Sequence, residues 1–153
     1  MITILRTTSD NPDFIELVKR IDADLAERGR SNHSFYAQFD KIDKIKRVVI
    51  AYENGKPVGC GATKESSSNT IEVKRMYTWP EWRGKGIATK VLSELEKWAA
   101  ELSYEKSVLE TGKRQPEALA LYEKNGYKIT TNYGQYAEIE NSVCFEKEIK
   151  STG

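Results

Sequence analysis

Histidine is almost missing from this sequence, with His33 its single copy among 153 residues, and cysteine occurs only twice. One imidazole and two separated thiols, Cys60 and Cys144, make no cluster with zinc-like spacing, so no metal site is expected. The two cysteines read as small buried hydrophobes, and nothing in their spacing sets them side by side for a disulfide. No apolar run approaches the length that crosses a bilayer. The N-terminal "MITILRTTSD" lacks the basic-then-apolar order of a secretion signal. The expected location is therefore the cytoplasm, away from membranes. Excess charge is also missing: 24 Lys and Arg stand against 23 Asp and Glu, a net charge of +1. Without a field of one sign over the surface, nucleic acid is not an expected partner, and any anion site must be local. Internal repeats, linkers and low-complexity tracts are absent as well.

What remains is a chain of one-domain length, and residues 1–150 read as one domain with a frayed end. "ITIL" reads as a short strand. In "SDNPDFIELVKRIDADLAERG", Phe14, Val18, Ile21 and Leu25 recur at helical spacing with Leu17 beside them. Asp10 or Asn11 can cap that helix, Pro12 suits its first turn and Gly29 its end. Residues 30–43 have no clean period but bring Phe35, Tyr36 and Phe39 together. "KIKRVVIAYENGKPVGCGATKE" is a hairpin, because Asn and Gly in its turn tolerate positive φ. "SSSN" turns again into the strand "TIEVKRMYT". A helix follows in "GIATKVLSELEKWAAEL", where Ile87, Val91, Leu95, Trp98 and Leu102 mark one face. "KSVLETG" is a strand, "QPEALALYEKNGY" a short helix between Pro116 and Gly126, and "YKITTNYGQY" and "SVCFEKEI" are final strands. The fold class is thus mixed α/β (α+β): a mostly antiparallel sheet flanked by helices. The crossover from Thr70–Thr78 to residues 106–110 demands a parallel pair.

The junction "WPEWRGKGIATK" joins a strand to a helix with two glycines and three basic residues, Arg83, Lys85 and Lys90. Helix N-termini offer unpaired N–H groups and partial positive charge, and glycine lets an anion come close to them. No Ser, Thr, Asp or Asn stands just before Ile87 to consume those donors. Two phosphate motifs fail here. A Walker A loop needs an earlier glycine and a Ser or Thr where Gly86 stands. A dinucleotide fingerprint needs its glycines directly after the strand and a small residue where Thr89 stands. A solvated basic turn competes with a phosphate cradle on the spacing alone.

The run Arg83-Gly84-Lys85-Gly86-Ile87-Ala88 resembles the R/Q-x-x-G-x-G/A motif of the GCN5-related N-acetyltransferases, the GNAT superfamily. "VLETGKRQPEALALYEKNGYK" resembles that superfamily's next strand and helix. The resemblance implies a sheet whose parallel pair splays apart at the cofactor site. It implies acetyl-CoA as co-substrate, its pyrophosphate on the backbone of Arg83, Gly84, Lys85, Gly86, Ile87, Ala88 and Thr89. Ala88 replaces a glycine frequent in relatives. The acetyl and pantetheine groups would lie along the backbone of Met76, Tyr77 and Thr78, on a strand that usually bulges. Parity gives an independent hint of a bulge, since Met76 falls on the opposite face from Ile71 and Val73. A strand covered on both faces explains the same pattern.

Tyr122 matches the superfamily's general acid, which would meet the leaving thiolate; a core tyrosine on an apolar stripe is the plain alternative. Glu110 and Glu72 are the candidate bases, with ion-paired carboxylates or water-mediated deprotonation as alternatives. Tyr133 and Tyr136, with the early aromatics, are candidates for an acceptor pocket. The implied activity is direct transfer of an acetyl group to a primary amine of a small molecule or peptide. The competing class is a non-catalytic coenzyme A-binding sensor. A homodimer stays open, as does the identity of the acceptor.

Overall fold

A computed structural model describes residues 1–27, 47–112, 116–137, 140 and 142–149. The predicted loop aromatics Phe35, Tyr36 and Phe39, together with His33 and Gly29, lie outside them. The elements run β1 (Ile2–Thr7), α1 (Pro12–Glu27), β2 (Arg47–Glu53), β3 (Lys56–Ser67), β4 (Thr70–Thr78), α2 (Ile87–Glu101), β5 (Lys106–Gly112), α3 (Pro116–Lys124), β6 (Lys128–Thr130) and β7 (Ser142–Glu148). Short 3₁₀ turns occupy Pro80–Trp82 and Gly134–Tyr136.

The seven strands form one sheet in the order β1-β2-β3-β4-β5-β7-β6. All neighbours are antiparallel except β4 and β5, which are parallel as the crossover demanded. That parallel pairing runs only from Thr70↔Lys106 to Val73↔Leu109. Beyond it β4 continues to Thr78 and β5 to Gly112 without bonding to each other, so the sheet opens between its two central strands.

Local chemistry fixes the ends of these elements. The Asn11 side chain accepts the Asp13 and Phe14 amides at 2.8 and 3.4 Å and caps α1. Asn54 and Gly55, at φ 50° and 81°, make the β2–β3 turn. Past α3, Gly126 N–H bonds Glu123 O and Tyr127 N–H bonds Tyr122 O, the paired bonds of a Schellman stop.

Two apolar layers cover the sheet. Phe14, Leu17, Val18 and Ile21 of α1 pack on Val48, Ile50, Cys60 and Ala62. Ile87, Val91, Leu92, Leu95 and Ala99 of α2 pack on the other face, with Ile71, Val73, Leu109 and Phe145. Helix α2 lies tight on β3: a Cβ at Gly61 would sit 2.4 Å from Met76 Sδ and 2.9 Å from Leu95 and Val91 side-chain carbons. No helix among the described residues is long and apolar enough to cross a membrane.

Two sequence expectations need correction. The inner stripe of α2 ends on Ala99 rather than running through Trp98 to Leu102. Leu102 is the exposed C-cap, and Trp98 is half-buried at the edge beneath the Arg6 guanidinium, 5.1 Å from its ring centre. The segment "YKITTNYGQY" is a strand only as far as Thr130. Beyond that, Tyr133 and Tyr136 reach for polar partners on β4, which draws the chain out of the sheet. Cys60 and Cys144 are buried and unbridged, as expected of small hydrophobes. Burial pushes the Cys60 thiol up to about 12 and the Cys144 thiol to about 11.

Candidate active site

The strand before the junction carries a bulge. Cys60 pairs with Tyr77 while Ala62 pairs with Lys74, so β4 spends an extra residue opposite Gly61. Arg75 takes φ 57° there. A non-glycine residue in that region stores about 1–2 kcal/mol of strain. The extra residue returns Met76 to the face of Ile71 and Val73, where it packs against the α2 layer. The two sequence readings of that parity therefore both hold: β4 bulges, and it is also covered on both faces, with Glu72 and Lys74 buried.

From Thr78 the chain enters the 3₁₀ turn and reaches Gly84 and Gly86, at φ 78° and 80°. Those angles suit glycine, and a Cβ at either position would meet nothing within 4 Å. Gly86 is the N-cap of α2 and no side chain caps the helix. The first α2 bond runs from Lys90 N–H to Gly86 O at 3.1 Å, so the amides of Ile87, Ala88 and Thr89 have no acceptor one turn back. An open, donor-rich concavity results. It belongs to a cleft of ≈ 370 Å³ between the end of β4, the start of α2 and one side of α3.

Met76, Tyr77, Thr78, Arg83, Gly84, Gly86, Ile87, Ala88, Thr89 and Tyr122 all line that cleft, so it gathers most of the residues named from the sequence. Lys85 does not line it: its ammonium lies over the Trp82 ring at 4.8 Å. Arg83 turns back to donate to Thr78 O at 2.9 Å, its guanidinium over Tyr77. Thr78 Oγ1 is buried and makes no hydrogen bond among the described residues. Sequence reasoning missed Trp82, Glu117, Ala120 and Lys124 as cleft residues. The spacing of Glu117, Ala120 and Lys124 on one side of α3 was the available signal. The tryptophans of the junction also gain roles. Trp82 is a cleft wall, and Trp79 bridges both apolar layers with the Arg20 guanidinium 3.6 Å from its ring centre.

Tyr122 is 6% exposed, its ring packed against Tyr127 and Phe145 at 5.9 and 5.8 Å between centres. Burial raises its phenol above the ordinary tyrosine value, and the charge of Glu110 adds to the effect. The hydroxyl therefore stays protonated through neutral pH. It is both a core residue and a cleft residue, so its two sequence readings are compatible.

The two acids stand in different settings, both on the face opposite Tyr122. Glu72 is 4% exposed: Tyr133 donates to its Oε2 at 3.0 Å, Lys74 Nζ lies 3.4 Å from Oε2 and Lys64 Nζ 3.8 Å from Oε1. Lys74 in turn donates to the buried Tyr136 hydroxyl at 2.6 Å. Glu110 is half-buried on β5, where β4 has already parted from it, and accepts the Ser142 hydroxyl at 2.6 Å. Tyr136 is buried as a structural anchor, while Tyr133 is half-buried beside it, edge to face at 5.5 Å.

The family model described as acetyltransferase (GNAT) family matches residues 13–127. An IAA acetyltransferase of Azospirillum brasilense is 30% identical over 151 residues, covering 97% of this chain and 98% of its own. Among solved structures, a protein of Klebsiella pneumoniae described as an acyl-CoA N-acyltransferase superposes with a TM-score of 0.82 at 30% identity, covering 97% of this chain and 98% of that one. A GNAT family acetyltransferase of Elizabethkingia anophelis, solved with acetyl-CoA bound, shares the fold with a TM-score of 0.71 at 20% identity over 97% of this chain and 98% of that one.

Proposed function

The chain belongs to the GNAT acetyltransferase family and is an N-acetyltransferase, and we propose that it moves an acetyl group from acetyl-CoA directly to a primary amine of a small molecule or peptide. The observation that carries this reading is the set of uncapped amides at Ile87, Ala88 and Thr89, flanked by Gly84 and Gly86 and opening into the same cleft as Tyr122 where β4 and β5 part. The empty space at the Gly84 and Gly86 Cβ positions and the orphaned Thr78 hydroxyl both fit a polar ligand lying against that backbone.

Acetyl-CoA supplies the activated thioester. The amides of residues 84–89 bind its pyrophosphate with the help of the α2 N-terminal dipole, Arg83 adds positive charge at the mouth, and Met76, Tyr77 and Thr78 hold the pantetheine arm. The bulge interrupts the β3–β4 ladder between Lys74 and Tyr77, and a main-chain N–H of this stretch would stabilise developing charge on the acetyl oxygen.

Attack needs a neutral amine, and Glu110 is the better base. The Glu72 oxygens are already engaged by Tyr133, Lys74 and Lys64, which suits a structural carboxylate. Glu110 is more accessible and close enough for its charge to act on Tyr122. Glu110 takes the proton from the attacking nitrogen and Tyr122, kept protonated by burial, donates to the departing sulfur. Neither cysteine is placed to carry the acyl group, since Cys60 and Cys144 are buried and their thiols are held protonated. Residues 1–150 act as one catalytic domain.

The decisive test is thiol release from acetyl-CoA against a panel of amines: amino acids, polyamines, aryl-alkyl amines and peptide N-termini. Amine-dependent release is the expected result. Tight acetyl-CoA binding with no turnover on any amine would support a sensor of acyl-CoA instead.

A further inference from the structure

On the face opposite Tyr122, polar side chains reconnect what the splay disconnects. Where β4 leaves β5, main-chain bonding between them ends at Val73↔Leu109. On that face Asn132, Tyr133 and Tyr136 bridge the gap. Tyr133 binds Glu72 of β4, Tyr136 binds Lys74 of β4, and Asn132 Nδ2 donates to Ser142 O at 3.1 Å. Ser142 is the first residue of β7 and 4% exposed. Its hydroxyl donates to Glu110 Oε2 at 2.6 Å, a short bond typical of a charged acceptor. The bond spans a diagonal of the β5–β7 ladder, since Ser142 pairs with Gly112 and Glu110 with Cys144. The backbone of Ser142 is thus held twice, by the ladder and by Asn132, before its side chain reaches Glu110.

At Glu110 the β4–β5 pairing has ended, and catalysis requires one orientation of the carboxylate there. We infer that Ser142 is a positioning residue: held by β7 and the Asn132–Ser142 bond, its hydroxyl fixes the Glu110 carboxylate in the orientation from which it receives the amine proton. This rests on Glu110 being the base. Ser142 itself touches neither substrate nor thioester and acts only through Glu110.

The test is a double-mutant cycle. Steady-state rates are measured with acetyl-CoA and the amine turned over fastest in the panel, alongside acetyl-CoA affinity by calorimetry. Ser142→Ala is expected to lower kcat roughly tenfold, the scale of one hydrogen bond to a charged group, with acetyl-CoA affinity unchanged. Ser142→Thr, which restores the hydroxyl, is expected to recover most of the rate. Ser142→Cys keeps the size with a weaker donor and should fall between. In a Glu110→Gln background, Ser142→Ala should have no further effect. A normal rate in Ser142→Ala beside a collapsed rate in Glu110→Gln would overturn the positioning role and leave the base reading intact. The same holds for a full tenfold loss in the Glu110→Gln background, or for rates that ignore donor strength along the Ala, Cys, Thr series. A normal rate in Glu110→Gln would instead remove the base reading, and the inference with it.

Discussion

Beneath α2 and α3, the central strands present Ile71, Val73, Met76, Leu109 and Phe145, an apolar floor with a tyrosine set into it. On the opposite face the same strands present Glu72, Lys74, Glu110 and Cys144, covered in part by Tyr133 and Tyr136. One face carries a cleft with uncapped backbone donors. The other holds charges in place with hydrogen bonds. The opening between β4 and β5 joins them, which is where an acetyl group would pass from one molecule to another. The difference teaches that this sheet has two differently built faces sharing a slot, and that the slot exists because the parallel pairing stops after Val73.

The comparison can be broken hardest on the first face. Gly86→Glu places a carboxylate in the amide cradle and an L side chain at φ 80°. Acetyl-CoA affinity should fall by at least about 100-fold through like charge and blocked approach. A thermal shift with acetyl-CoA checks it, and full stabilisation by the ligand would refute the cradle.

Next in size, Tyr122→Phe removes only the hydroxyl from a residue packed by its ring. Turnover should drop roughly 10²–10⁴-fold with the fold intact, as for a lost general acid. Because burial and Glu110 both raise the Tyr122 phenol, the wild-type rate should show no loss from its ionisation as pH climbs to about 10. A pH–rate series in wild type and variant separates the acid role from packing.

On the second face, Lys74→Met removes the cation 3.4 Å from a buried carboxylate. Stripping one partner from a buried pair costs about 3 kcal/mol or more, so a clear fall in denaturation midpoint is expected, with acetyl-CoA affinity far less affected. An equal loss of cofactor affinity would show that the two faces are not separable. The smallest effect belongs to neither face. Arg6→Ala removes a half-exposed bridge to Glu94 and Glu101 together with the stacking on Trp98. It should cost less than about 1 kcal/mol and leave turnover unchanged.

Much of the first face was legible in the sequence. A run of unpaired backbone amides is local, and glycine spacing, a missing cap and the following helical period all sit within one short stretch. The bulge was half legible, because a parity break at Met76 signals either an extra residue or two-sided burial, and here both occur. Less was legible where packing decides. The inner stripe of α2 stopped at Ala99, since Trp98 lies at the edge of the layer. The extended-looking "TTNYGQY" left the sheet because its tyrosines bind side chains of β4.

By itself, then, the sequence determined the hairpin, the caps and the glycine-flanked, uncapped start of α2, and through two motifs in order the family. These features rest on neighbours within a few positions, where dihedral preferences and helical period act directly. Only the tertiary structure decided which donors each acid meets. Glu72 meets a tyrosine 61 positions away and Glu110 a serine 32 positions away. A carboxylate's role depends on which donors surround it, and chain folding brings those donors together from distances that no local pattern records.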